Sequence, residues 1–326
     1  MKGKQKRVLL SLLMLFSTGI FLSTATYAWF TANRTVSISE IQVNVEAQDG
    51  IQLSADGINW RSIVHVDELI NVESTYENSV NQIPSVLEPV STDGSMTAEG
   101  IMEMFYGSVT TNAGGDYILT AERFEETRNN PNGRFVAFDL FVRLDSTSQL
   151  YMTPNSGVET PDATDTGIKN AARVAFVDLG TTAIGSTTEQ IQSLNTGVSS
   201  SVYIWEPNYN SHTAAAIAHA SNTYGLTVTD GGAAVPYSGV IAPIDASDNV
   251  LVGQATEAIH PAFFRDVTPD YLTEYDFTEN VPVFTLSEGI TKLRLYMWIE
   301  GQDVDTENTA SGGNATFNIQ LTVDND

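Results

Sequence analysis

The chain has 326 residues, 15 of them basic and 40 acidic, for a formal net charge of −25, and it contains no cysteine. So acidic a surface repels phosphate backbones and anionic headgroups, which argues against nucleic acid and anionic lipid as partners. Lack of cysteine excludes disulfides, thiol catalysis and thiolate metal sites, while 42% hydrophobic residues suffice for a packed core in one large domain or two ordinary ones.

Residues 1–28 read as an export leader. "KGKQKR" carries Lys2, Lys4, Lys6 and Arg7 with no acid, and "VLLSLLMLFSTGIFLSTATYA" is apolar and ends in small residues. Thr26 and Ala28 stand at −3 and −1 of a signal peptidase site, so cleavage after Ala28 makes Trp29 the mature end. The alternative is an uncleaved anchor, because 21 residues at ~1.5 Å each can span a bilayer. Ser11, Ser17, Thr18 and Gly19 make that stretch a poor permanent helix. Both readings place the remainder outside the cytoplasm, secreted to the extracellular surface or a matrix, with the membrane touched only through the leader before cleavage. Beyond Ala28, 11 basic residues face 40 acidic ones, a net charge of −29 that suits a self-repelling extracellular protein.

The mature chain reads as mostly β. Residues 35–45 alternate with one slip: Val36, Ile38 and Glu40 share one side, Ile41, Val43 and Val45 the next, which predicts a bulge near Glu40 and Ile41. "GIQLSADGINWRSIV" places Asp56-Gly57 between two short apolar runs, a hairpin signal. "SMTAEGIMEMFYGS" predicts an amphipathic helix capped by Ser95 or Thr97 and closed by Gly107. "RFVAFDLFVRLD" is apolar on both faces, the pattern of a central strand covered twice, with Asp139 the odd polar member.

"AARVAFVDLG" and "SSVYIWE" are further strands, and "SHTAAAIAHASN" predicts a short helix capped by Ser211. "ITKLRLYMWIEG" puts Leu293, Leu295, Met297 and Ile299 on one side and Lys292, Arg294, Tyr296, Trp298 and Glu300 on the other. "ATFNIQLTVD" repeats that arrangement with Phe317, Ile319, Leu321 and Val323, so both read as half-buried antiparallel strands. The long polar stretches between strands read as surface loops. Together these features predict a mainly β fold: a jelly-roll-type antiparallel β-sandwich with long loop insertions and one or two short helices, built by residues 29–326 as a single domain.

The leader ending "ATYAWFT", followed directly by "VSISEIQVNVE", resembles the signal region of the TasA/camelysin group of Gram-positive exported proteins. "GIQLSADGINW" and "LRLYMWIEGQDVDTENTASGGNATFNIQLTV" look like motifs of Firmicute surface proteins with the same leader type. The resemblance implies a jelly-roll subunit of biofilm-matrix fibres, in which the N-terminal strand of one copy completes the sheet of the next. Residues 29–46 would be the donated strand, with Trp29, Phe30, Val36, Ile38, Ile41, Val43 and Val45 as its self-association residues. An apolar alternating terminus must bury itself somewhere, and strand addition gives affinity through main-chain hydrogen bonds and register through alternate side chains. Because donor and acceptor surfaces differ, such a contact builds a homopolymer. The bland reading is that the same segment is the first strand of a monomer's own sheet.

"EGQDVDTEN" gathers Asp303, Asp305 and Glu307, oxygens that suit calcium, although without EF-hand spacing and against the simpler reading of a solvated acidic loop. No His-Glu-x-x-His occurs. His212 and His219 lie seven apart, too far to share one zinc on a helix, and with His65 and His260 they read as satisfied loop histidines. No nucleophile elbow appears. Trp60, Trp205 and Trp298 can form either a sugar platform or core. The expectation is therefore a non-catalytic structural protein without a cofactor, calcium being the one ion its loops suggest. The alternative is a secreted carbohydrate-binding or adhesive sandwich that depends on calcium.

Overall fold

The computed structural model describes residues 36–40 (as backbone), 50–65, 68, 69, 76, 78–127, 132–160, 166–307 and 314–323. Four short strands come first: β1 (Val36–Glu40), β2 (Gln52–Ser54), β3 (Asn81–Gln82) and β4 (Val86–Leu87). A hairpin of β5 (Met104–Thr111) and β6 (Tyr117–Phe124) follows, then β7 (Val136–Leu144), β8 (Ser148–Met152), β9 (Gly157–Glu159) and β10 (Ala172–Thr182). The short helix α1 (Thr188–Gln192) precedes β11 (Ser201–Pro207), and α2 (Ala214–His219) precedes β12 (Tyr237–Val240). The chain closes through β13 (Phe264–Val267), β14 (Tyr271–Thr273), β15 (Val281–Leu286), β16 (Gly289–Ile299), β17 (Asn314–Asn318) and β18 (Leu321–Thr322). The fold is mainly β, as the alternation predicts, with mostly antiparallel sheets, long loops and, among the described residues, these two short α-helices.

At the centre lies a seven-stranded sheet in the order β14-β11-β10-β16-β7-β2, with β3 also on β7. Its axis is β16, matched antiparallel to β10 from Ala172↔Ile299 and to β7 from Gly289↔Leu144 through Met297↔Val136. One face of these three strands presents Val136, Phe138, Leu140, Val174, Phe176, Leu293, Leu295 and Met297. It packs on Leu150 and Met152 of β8, Phe284 and Leu286 of β15, and Phe317 of β17. The other presents Ala137, Ala175, Val177, Tyr296 and Trp298, covered by Met102, Met104, Tyr237 and Val267. A satellite core under the β5–β6 hairpin joins Phe105 and Leu119 to Val240 and Phe264. Burying each such side chain stabilises the fold by ~1.5–3 kcal/mol, so covering the sheet twice supplies most of its cohesion.

Several sequence expectations are met in place. β7 is buried on both faces, and β10 and β11 fall on the predicted runs. At the Asp56-Gly57 turn, Leu53 and Arg61 exchange backbone hydrogen bonds of 2.7 and 2.9 Å. The Asp56 carboxylate accepts from the amides of Ile58 and Asn59, and Gly57 takes the left-handed φ of +71° that the turn requires.

Four expectations are corrected. The segment "SMTAEGIMEMFYGS" forms no helix: Thr97 Oγ1 accepts from the amides of Glu99 and Ile101, Gly100 turns the chain at φ +77°, and Met102 and Met104 enter the core at strand spacing. A side chain that bonds its own backbone there competes successfully with helix. Second, β16 is not half-buried; all of its residues are buried. Third, "ATFNIQLTVD" is not one strand, since Gln320 exchanges bonds with Thr153 and Ser156 and breaks it into β17 and β18, which join different sheets. Fourth, the cap of α2 is Thr213, whose hydroxyl accepts from the Ala216 amide at 3.1 Å, rather than Ser211.

Double coverage forces the polar side of β16 to find partners inside. Arg294 donates from Nε to Asp139 Oδ1 at 2.7 Å and from Nη1 to Glu126 Oε1 at 3.4 Å, while Lys292 Nζ lies 3.3 Å from Asp139 Oδ2. Tyr296 donates to Glu126 at 2.6 Å and Tyr76 to Asp139 at 3.1 Å. Burial acts to raise the Asp139 carboxyl, but Arg294 and Lys292 overcome it and hold the group below its ordinary value. Two carboxylates meet two cations, so the network is neutral. Asp139→Ala leaves Arg294 and Lys292 buried without their main counter-charge, and chemical denaturation is expected to show a loss of ~3–5 kcal/mol; a loss under ~1 kcal/mol would mean the network is hydrated rather than structural.

Candidate functional site

The acidic loop singled out for calcium is not a solvated one. Asp303 and Asp305 are both buried, Asp305 to 1% exposure, and Glu307 is half-buried. The loop leaves the end of β16 and folds back onto the second face of the sheet. There Arg173 of β10 donates from Nη2 to Glu206 Oε1 of β11 at 2.8 Å and to Asp303 Oδ2 at 2.5 Å. Its Nη1 donates to the carbonyls of Asn170 and Ala172. Asp303 Oδ1 accepts from the Asp305 amide at 2.8 Å. Asp305 Oδ2 meets His212 Nδ1 at 2.7 Å, just ahead of α2. Glu300 is also buried, accepting from Trp298 Nε1 at 3.0 Å and from the Gln302 amide at 3.0 Å.

Four carboxyls therefore share one guanidinium and one imidazole. Burial raises three of these acids, as it also raises Glu126 in the network around Asp139. Burial pushes Glu206 up to about 7 against the pull of Arg173, and burial likewise pushes Glu300 up to about 7. Asp305 rises to about 6, again through burial, with the His212 hydrogen bond opposing. Burial would lower His212, yet Asp305, Asp303 and Glu206 together raise it. One oxygen of Glu206, Oε2, is buried without a hydrogen-bond partner among the described residues, so a proton there costs no existing bond.

What the cluster can do chemically is take up protons as the pH falls toward neutrality and below. Its oxygens are turned toward Arg173, His212 and backbone amides, and among the described residues no three of His, Cys, Asp and Glu come together as a metal-binding group. Of the other histidines, His219 is buried at the end of α2, 3.2 Å from Thr223 Oγ1 and edge-on to Tyr224. Trp205 and Trp298 are fully buried and Trp60 packs against the core, so none of these three forms an exposed sugar platform.

Neither Arg173 nor Glu206 stands out in the sequence reading. The signal available was the one that marked Asp139: a lone charge inside an apolar strand, here "AARVAF" and "VYIWE".

Of the self-association residues, Val36 and Ile38 lie in β1, while Trp29, Phe30, Ile41, Val43 and Val45 lie outside the described residues, as does the cleavage site at Ala28. β1 takes an interior place in a four-stranded sheet of order β4-β1-β17-β9. It pairs antiparallel with β4 through Val36↔Leu87 and Ser37↔Val86, and parallel with β17 through Ser37↔Asn314 and Glu40↔Thr316. The register slips between Ser37 and Glu40, slightly earlier than the bulge the alternation predicts. In this chain, then, the N-terminal strand completes its own sheet. No helix among the described residues is long and apolar enough to cross a membrane.

No family model matches the chain, and neither a curated protein nor a solved structure matches it significantly. The likeness to the TasA/camelysin group therefore rests on the leader and the segment directly after it alone.

The acid cluster sets a direction for pH. Glu206, Glu300 and Asp305 favour their protonated forms in the folded state, so the stability they contribute is complete below their ordinary values near 4 and is lost as pH rises through about 6 to 7. Raised His212 acts in the same direction, while His219, pushed down to about 4 by burial, acts against it below its ordinary value near 6.5. Asp56 and Asp139 are lowered, so their contribution fades only in stronger acid. The expected outcome is a higher Tm at pH 5.5 than at pH 8, with the difference reduced in Glu300→Gln. The same difference in wild type and variant would show that Glu300 keeps its proton state unchanged across that window.

Proposed function

We propose that the protein is an exported structural subunit of the cell surface or matrix that self-associates by exchanging its N-terminal strand. The observation that carries this reading is the interior position of β1. Removal of an edge strand only shortens a sheet, whereas departure of β1 leaves a slot with unpaired backbone groups on both β4 and β17. Such a slot demands a strand, and a second copy offers an identical one.

Donation in one direction without ring closure gives a filament. The charge of −29 beyond Ala28 opposes packing of copies, so assembly should strengthen with salt and with acidification.

The test compares purified chains beginning at Trp29 and at Glu46 by electron microscopy and light scattering, with the secreted form sequenced to establish its N-terminus. Fibres from the longer chain, none from the shorter, and a Tm increase when a peptide of residues 29–45 is added to the shorter chain are the expected results. Monomers from both chains, or a secreted form that still begins at Met1, would overturn the reading.

A further inference from the structure

A cleft of about 620 Å³ opens where β9, the Asn318–Gln320 stretch between β17 and β18, and the segment after β14 converge. Its volume falls within the ~300–1,000 Å³ typical of small-ligand sites. β1 does not line it, so what it binds is independent of strand exchange.

The chemistry of the walls is mixed in a particular way. Val158 and Ile319 are buried and apolar, and Tyr275, 46% exposed, and Phe277 add aromatic surface. Polar groups come from the amides of Asn155, Asn318 and Gln320 and from the carboxylates Glu159, Glu274 and Asp276. Among the described lining residues there is no lysine or arginine, and His65 is the one group able to carry positive charge, so beside three carboxylates an anionic ligand meets repulsion.

Much of this wall is fixed before any ligand arrives. Gln320 Oε1 accepts from Asn155 Nδ2 at 2.7 Å and from the Thr153 hydroxyl. The Ser156 hydroxyl donates to the Gln320 carbonyl at 3.0 Å and accepts from its amide at 2.9 Å. Asn208 holds β9 from behind, donating from Nδ2 to the Val158 carbonyl at 2.9 Å. The Tyr275 ring is held by Lys169, whose Nζ lies 4.2 Å from its centroid. Against this rigid frame, Asn318 Oδ1 is a buried acceptor without a hydrogen-bond partner among the described residues. A buried acceptor left unpaired costs free energy that an incoming donor recovers.

A bare cation would use the carboxylates and leave the aromatic surface and the amides idle. A sugar hydroxyl both donates and accepts, and the CH face of a pyranose packs on an aromatic ring. We propose that this cleft binds a neutral oligosaccharide, with a hydroxyl donating to Asn318 Oδ1 and a sugar ring lying against Tyr275.

The test is titration calorimetry on the chain beginning at Trp29. Its neutral probes are the hexaoses of β-1,4-glucose, β-1,3-glucose, α-1,4-glucose and β-1,4-N-acetylglucosamine, with spermine and hexalysine as cationic probes. At least one neutral hexaose is expected to bind. Tyr275→Ala, an exposed position that leaves the core intact, is expected to weaken it at least tenfold, as is Asn318→Ala. Tyr117→Ala, on the distant β5–β6 hairpin, is expected to leave binding unchanged. No binding by any neutral hexaose, binding by the cationic probes alone, or equal affinity in Tyr275→Ala would overturn the proposal.

Discussion

Every second residue from Lys292 along β16 to Glu300 just past its end is polar or polar-tipped, and all of them are buried. The molecule is arranged around satisfying that row. Lys292 and Arg294 reach Asp139, Arg294 and Tyr296 share Glu126, and Trp298 donates to Glu300. If the second face of the sheet were open to water, none of these partners would be needed. Because Met102, Met104, Tyr237 and Val267 cover it, each polar tip must be met within the protein or cost several kcal/mol.

The two ends of that row are balanced differently. Around Asp139 the charges cancel, and such a network specifies one pairing of β7 with β16, since a register slip would separate Arg294 from Asp139. Around Arg173 acids outnumber cations, and burial pushes Glu206 and Glu300 toward their protonated forms. The first network therefore serves register and the second makes cohesion depend on pH. His212 and Asp305 extend that dependence to the segment that opens α2, because their contact ties it to the loop after β16.

The central strands were legible because their chemistry is local. An uninterrupted apolar run reads as doubly covered in "RFVAFDLFVRLD", and Asp56-Gly57 specifies its own turn. Reading "ITKLRLYMWIEG" as half-buried followed from the same rule, since alternation normally means one wet face. The rule fails where distant charge compensates: Asp139 lies 155 residues from Arg294, and nothing in either segment names the other. Met102 and Met104 have strand spacing inside a segment with helix-like ends, and Thr97 bonding its own backbone decides against the helix. The acidic loop was misjudged for a related reason, because forty acids make solvation the default and Arg173 gives no sign of its direction. The cleft beside Tyr275 was invisible, assembled as it is from five segments far apart in the chain.

These pairings also differ in how firmly they hold each strand. β16 is matched to both neighbours along nearly its whole length, with interlocked charges on one face and packed leucines on the other. β1 is matched over a few residues, and its parallel ladder with β17 is interrupted between Ser37 and Glu40. Parallel pairing is slightly weaker per residue than antiparallel, and a register irregularity weakens it further. A strand held in this way is the one most easily exchanged for an identical strand from another copy, since the lost and gained bonds are the same and only the tether distinguishes them. Strong charge pairing along β16 thus keeps the body intact, while the weak main-chain pairing at β1 is what the proposed strand exchange would draw on.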